Sequence, residues 1–200
     1  MAIDKIQAES MNLADTYAFT GTVTGTPQGL VGLGGANATG QNVGDVSFDL
    51  FTSDYDMYYV TFVLSHTSNG ETWLRLRSSS SYLTSNDYRQ AMTGRRSDST
   101  DANIDYSGSN KFQLTGTSES SNSHNQSCGA LWFFKPQVSG KTTQVLSHIF
   151  DFTSTILACH RTGAHMFMSS GAHTGFGLLG TTNIDEYNIQ VFGVKQSWRK

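Results

Sequence analysis

Apolar and polar residues alternate along several short stretches of this chain, and that two-residue period is the first sign of its architecture. In residues 46–51, Val46, Phe48 and Leu50 fall on one side and Ser47 and Asp49 on the other, as in a strand with one buried face. Residues 55–65 are apolar on both faces, which suits a strand in the middle of the structure or beneath a subunit contact. The Ser68-Asn69-Gly70 turn predicts a hairpin onto residues 71–78. There Leu74 and Leu76 point one way, and Trp73, Arg75 and Arg77 the other. Further strands are predicted over 111–114, 130–135, 144–152, 155–160, 165–168 and 187–194, with an earlier one around Tyr17, Phe19, Thr22 and Val23. The Gly-rich residues 25–44 predict a loop, and 79–110 a long polar excursion with at most one edge strand. Residues 115–126 are almost wholly polar and read as a solvated tip. Only residues 1–15 carry helical spacing, with Ile3, Ile6, Met11 and Leu13 able to share one side. The segment is short enough to serve equally as an extended arm.

Many short strands without helix-period stretches between them predict an all-β, antiparallel β-sandwich of jelly-roll-like form over residues 17–200. An arm or short helix at residues 1–16 is expected to precede it and to gain stability by docking on something else. Pro27 and Pro136 fall where strands would be absent or ending, in keeping with their missing N–H. Charged residues make up only 14% of the chain while 37% are hydrophobic, so a packed core is expected, with Gly, Ser, Thr and Asn carrying the polar surface. A net charge of −3 offers no field to a nucleic-acid backbone, and nucleic acid is not an expected partner. No stretch approaches the ~20 apolar residues that span a bilayer. The opening residues lack the basic lead and apolar run of a secretion signal, so an aqueous compartment is expected.

Candidate chemistry is sparse. Gly175-Phe176-Gly177-Leu178-Leu179-Gly180 has the spacing of a dinucleotide-binding turn, but a β-like stretch follows where a helix would be needed, so a glycine-softened strand or tight bend is expected and no cofactor. His160, His165 and His173 beside Cys159 fit no closed metal pattern, and surface or internally bonded histidines are expected. Asp54 and Asp56 sit beside a turn, where aspartate serves local backbone bonding. No nucleophile elbow or paired-carboxylate frame marks a catalytic centre, although folding could still bring two distant acids together as in an all-β glycoside hydrolase. Cys128 and Cys159 are expected to be free thiols rather than a disulfide. The face carrying Trp73, Arg75 and Arg77 could stack on sugars or hold anions, or else support a neighbouring subunit or the polar excursion. Tyr82, Tyr88, Arg89, Arg95 and Arg96 in that excursion are the residue types interfaces favour. The two-sided apolar stretch 55–65 and the N-terminal segment together predict a homo-oligomer.

Two further patterns point to a family. The opening run from Lys5-Ile6-Gln7-Ala8-Glu9-Ser10 through Met11-Asn12-Leu13-Ala14-Asp15 to Phe19-Thr20-Gly21-Thr22-Val23 resembles the lead into the head modules of tail-fibre-like proteins from phages of aquatic bacteria. Residues 55–64 with 72–77, and the closing Asn188-Ile189-Gln190-Val191-Phe192-Gly193-Val194-Lys195, resemble the first half and last strand of such modules. The resemblance implies a virion protein assembled in the bacterial cytoplasm, often trimeric, anchored through its N-terminal part to other virion proteins and exposing loops to host surface glycans. No long shaft repeat precedes the module. That fits a short adhesin mounted on another protein, or a protein decorating the capsid.

Overall fold

The structure is a computed structural model that describes residues 29–116, 126–152 and 157–195. The expected first strand near Tyr17 and the arm carrying Ile3, Ile6, Met11 and Leu13 lie outside those residues, as does most of the polar tip. Among the described residues there are twelve strands and no helix. In chain order they are β1 (Gly29–Ala38), β2 (Val43–Phe48), β3 (Met57–His66), β4 (Thr72–Ser78), β5 (Ser81–Tyr82), β6 (Tyr88–Arg96), β7 (Ile104–Ser109), β8 (Phe112–Gln113), β9 (Ser127–Phe134), β10 (Thr143–Phe152), β11 (Ala158–Phe167) and β12 (Gly175–Lys195). All pairings are antiparallel. They form one sheet in the order β5-β4-β12-β3-β9-β10-β11-β6-β7, with β1 and β2 added on β12 and β8 on β4. The sheet curls over its own inner face, and the all-β sandwich-like class is as expected.

β12 is the spine. Its first residues pair with β4 on one side and β2 on the other, and its last with β3 and β1. Between these halves the register shifts around Ile184 and Glu186, and the strand passes from one wall of the sandwich to the other. This corrects the expected hairpin at residues 68–70. β3 and β4 do not pair with each other, because each binds a different half of β12. The Ser68-Asn69-Gly70 segment is a corner running beside the bend in β12, and Gly70 is there because any side chain would collide with the Thr182 hydroxyl and the His66 ring. His66 ties the corner, its Nε2 lying 3.0 Å from Thr72 Oγ1 and its Nδ1 3.3 Å from Thr182 O.

Two more expectations are corrected. The glycine-rich loop contains β1, which the main chain of β12 holds as a strand from Gly29 opposite Lys195 to Ala38 opposite Tyr187. The polar excursion contains β6, an interior strand between β11 and β7. In β6 the side chains of Tyr88, Gln90 and Met92 alternate inward, but a glutamine in the middle disguises the period.

The inner face is apolar and aromatic. Phe51 lies 4.5 Å from Tyr58 and 5.1 Å from Phe133, and Phe133 lies 5.0 Å from Phe176 on the opposite wall (ring centroids). Tyr88 joins Phe112 and Phe167 at 4.7 and 4.6 Å. With about 1.5–3 kcal/mol gained by each fully buried large side chain, this packing is the main favourable contribution to the fold.

Candidate functional site

The glycine motif is the easiest element to place. Residues 175–180 are the first half of β12, extended and buried from Gly175 to Leu178. A side chain at Gly175 would strike the Phe48 carbonyl, and one at Gly177 the Tyr82 ring. These glycines let neighbouring chain approach closely, and no phosphate-binding turn is formed.

The three histidines point to three places. His160 is exposed on the outer face. His165 is buried with Nε2 2.7 Å from Ser147 Oγ, and His173 is buried with Nδ1 2.7 Å from Thr143 Oγ1. Burial pushes the His165 imidazole down to about 4 and lowers that of His173, so both are neutral hydrogen-bonding core groups near pH 7. Among the described residues no cluster of histidine, cysteine and carboxylate groups could hold a metal. Cys128 and Cys159 are free. They sit opposite Phe150 and Asp151 of β10, neighbours whose side chains face opposite sides of the sheet. Asp54 donates its N–H to Thr52 Oγ1 at 3.3 Å, a local turn bond.

The eight residues expected at a contact surface do not converge. Trp73 donates to Glu71 Oε2 at 2.7 Å and lies under the Lys111 ammonium. Arg75 Nε donates to Asn110 O at 3.0 Å. Arg77 makes two bonds to Asp49, at 3.2 and 3.0 Å, and stacks over Tyr82 at 4.9 Å. The guanidinium holds the Asp49 carboxyl below its usual range. Tyr82 donates to Asp45, and burial with that carboxylate pushes its hydroxyl up to about 12. This group therefore braces β4 against the segments on either side of it. Tyr88 is a correction: it is fully buried, accepting from Leu76 N at 3.1 Å and donating to Leu83 O at 2.8 Å. Arg89 and Arg95 are exposed on the outer face of β6, at opposite ends of the strand.

What the sequence reading missed is the outer sheet face. Strand register aligns Phe192, Tyr59, Trp132, Leu146 and Ala164 in one row across β12, β3, β9, β10 and β11. The next row is Val194, Met57, Phe134, Gln144 and Met166. On the other side follow Gln190, Thr61, Ala130, His148 and Thr162, then Asn188, Val63, Cys128, Phe150 and His160. No Asp, Glu, Lys or Arg occurs in these four rows. Tyr59 stacks near Trp132 and Phe192, at 5.2 and 6.1 Å, making a ridge. Beside it runs a groove of about 580 Å³ whose lining includes Leu146, Ala164, Met166, Ala91 and Arg89. Strict alternation in β10, with Gln144, Leu146, His148 and Phe150 outward, was the available signal.

The chain also has two distinct ends. Gly29, the first described residue, pairs with Lys195, at the end that holds the connections 49–56, 135–142 and 168–174. The connections 39–42, 67–71 and 97–103 lie at the opposite end, where β8 and β10 end and β9 and β11 begin. There Arg161 is buried on Asp151, Nε to Oδ2 at 3.1 Å, and also donates to Ala102 O. Asp151 Oδ2 further accepts from Gly116 N at 3.1 Å, so this ion pair ties Ala102, before β7, and Gly116, after β8, to β10 and β11. Comparison with known proteins finds no matching family model, no matching curated protein and no matching solved structure.

Proposed function

We propose that this chain is a bacteriophage virion protein, a short tail-fibre or receptor-binding subunit that docks through its N-terminal residues and presents loops to the host surface. The observation that carries this reading is the two-ended layout. Gly29, the first described residue, lies at one end, and the connections 39–42, 67–71 and 97–103 lie at the other, where the Asp151–Arg161 pair is buried. Loops held on a rigid β scaffold away from the attachment point are the usual place for recognition. The resemblance of residues 5–23, 55–77 and 188–195 to phage head modules supplies the biological setting.

The test is competition. Purified protein is expected to bind host cells and to reduce adsorption of the intact particle, and substitutions in residues 97–103 are expected to weaken both effects. Protein that neither binds cells nor competes overturns the reading. A second reading, a capsid decoration protein, is favoured by the uncharged outer face, which suits permanent burial against shell subunits. Antibody labelling of particles separates them: label at the tail tip supports attachment, and label over the shell supports decoration.

A further inference from the structure

We infer that the uncharged outer face of β12, β3, β9, β10 and β11 is the contact through which a second copy of this chain binds, the Tyr59–Trp132 ridge of one copy entering the groove beside Leu146 and Ala164 of the other. Three observations carry it. First, composition: the whole chain is 14% charged, yet the four rows across five strands hold no formal charge, while Arg89 and Arg95 stand only at the β6 margin. Loss of charge from the centre, gain of aromatic residues and methionine, and a polar rim are the anatomy of a protein interface. Second, size: five strands at ~4.8 Å spacing and four rows covering about eight residues at ~3.3 Å give a face of roughly 600–650 Å², which approaches the ~800 Å² each partner contributes to a standard complex. Third, shape: ridge and groove lie side by side on one face, so two copies turned face to face each offer what the other lacks. A surface that matches itself in this way makes a closed, isologous pair. Leu146 is 46% exposed and Phe150 39% exposed in the single chain, and the contact covers both.

The test is the mass of the full chain in solution. Sedimentation or light scattering is expected to give about twice 21.8 kDa, the mass of the closed pair, persisting on dilution, and a trimer overturns the two-fold contact. Leu146→Glu and, independently, Ala164→Glu place a carboxylate in the covered face and are each expected to weaken association about tenfold or more. Lys141→Glu, on an exposed connection away from the face, is expected to leave it unchanged. Both interface residues already point to solvent in the single chain, so circular dichroism is expected to stay the same. A second readout is protection: hydrogen exchange in β9 and β10 is expected to rise in both glutamate variants. A monomer at the highest soluble concentration overturns the inference, as does an oligomer that both glutamate variants leave intact. Neither result bears on whether the protein binds host cells, which the adsorption assay reads separately.

Discussion

The side-chain amide of Gln90 makes both bonds of a strand rung with the main chain of Gln113: Oε1 accepts from Gln113 N at 2.7 Å, and Nε2 donates to Gln113 O at 3.1 Å. The two residues belong to β6 and β8, which share no ladder. Here a side chain substitutes for a missing strand and closes the seam of the curled sheet. Gln90→Leu is of similar size but strands both main-chain groups, and is expected to lower stability by about 2–3 kcal/mol in urea unfolding. Gln90→Glu keeps the acceptor and loses the donor, and is expected to destabilise as well.

The buried pair of Asp151 and Arg161 gives a second expectation. Their side chains are 2% and 5% exposed, so removing one partner leaves an uncompensated charge in the interior. Arg161→Met is expected to cost about 3–5 kcal/mol. The double variant Asp151→Leu with Arg161→Met is expected to recover much of that in the same assay. Additive losses would show that the two groups act independently.

Stability is expected to depend on pH through His165. Burial holds its imidazole at about 4, against 6.5 when free. Between those values the unfolded chain binds a proton that the folded chain excludes. Stability therefore falls as pH drops from about 6.5 to about 4, by up to roughly 3 kcal/mol, and is fully present above that window. His173 is lowered in the same direction. His165→Gln is expected to flatten the thermal-midpoint profile over this range.

Much of the fold was legible because alternation is local. β3, β4, β10 and the end of β12 show their two faces in consecutive residues, and Leu74 and Leu76 are buried as their spacing requires. What was hidden depends on partners far along the chain. β1 is a strand through its pairing with β12 some 150 residues later, while its own glycines argue for a loop. The corner after β3 has the residues of a hairpin turn, and only the bend in β12 shows that its two arms belong to different walls. The outer face was hidden for a related reason: each strand contributes only four or five outward residues, and their lack of charge shows only once the register lines them up.

Two glycines in different strands separate close packing from mere spacing. Gly175 backs onto the Phe48 carbonyl, whereas Gly32 in β1 has open space where a side chain would stand. Gly175→Ala is expected to lower the urea midpoint substantially or abolish folding. Gly32→Ala is expected to be neutral within about 0.5 kcal/mol. Equal effects at both sites would remove the steric account of the glycine motif.

β12 is also the last of these strands to be synthesised, and it supplies pairing edges to β1, β2, β3 and β4. Until it emerges from the ribosome, those four segments have no common template, and the aromatic interior stays open on that flank. Assembly of this fold is thus expected to wait for β12 and to be slow, governed by contacts between segments far apart in the sequence. A nascent chain halted before residue 175 would be a substrate for chaperones rather than a partly finished subunit.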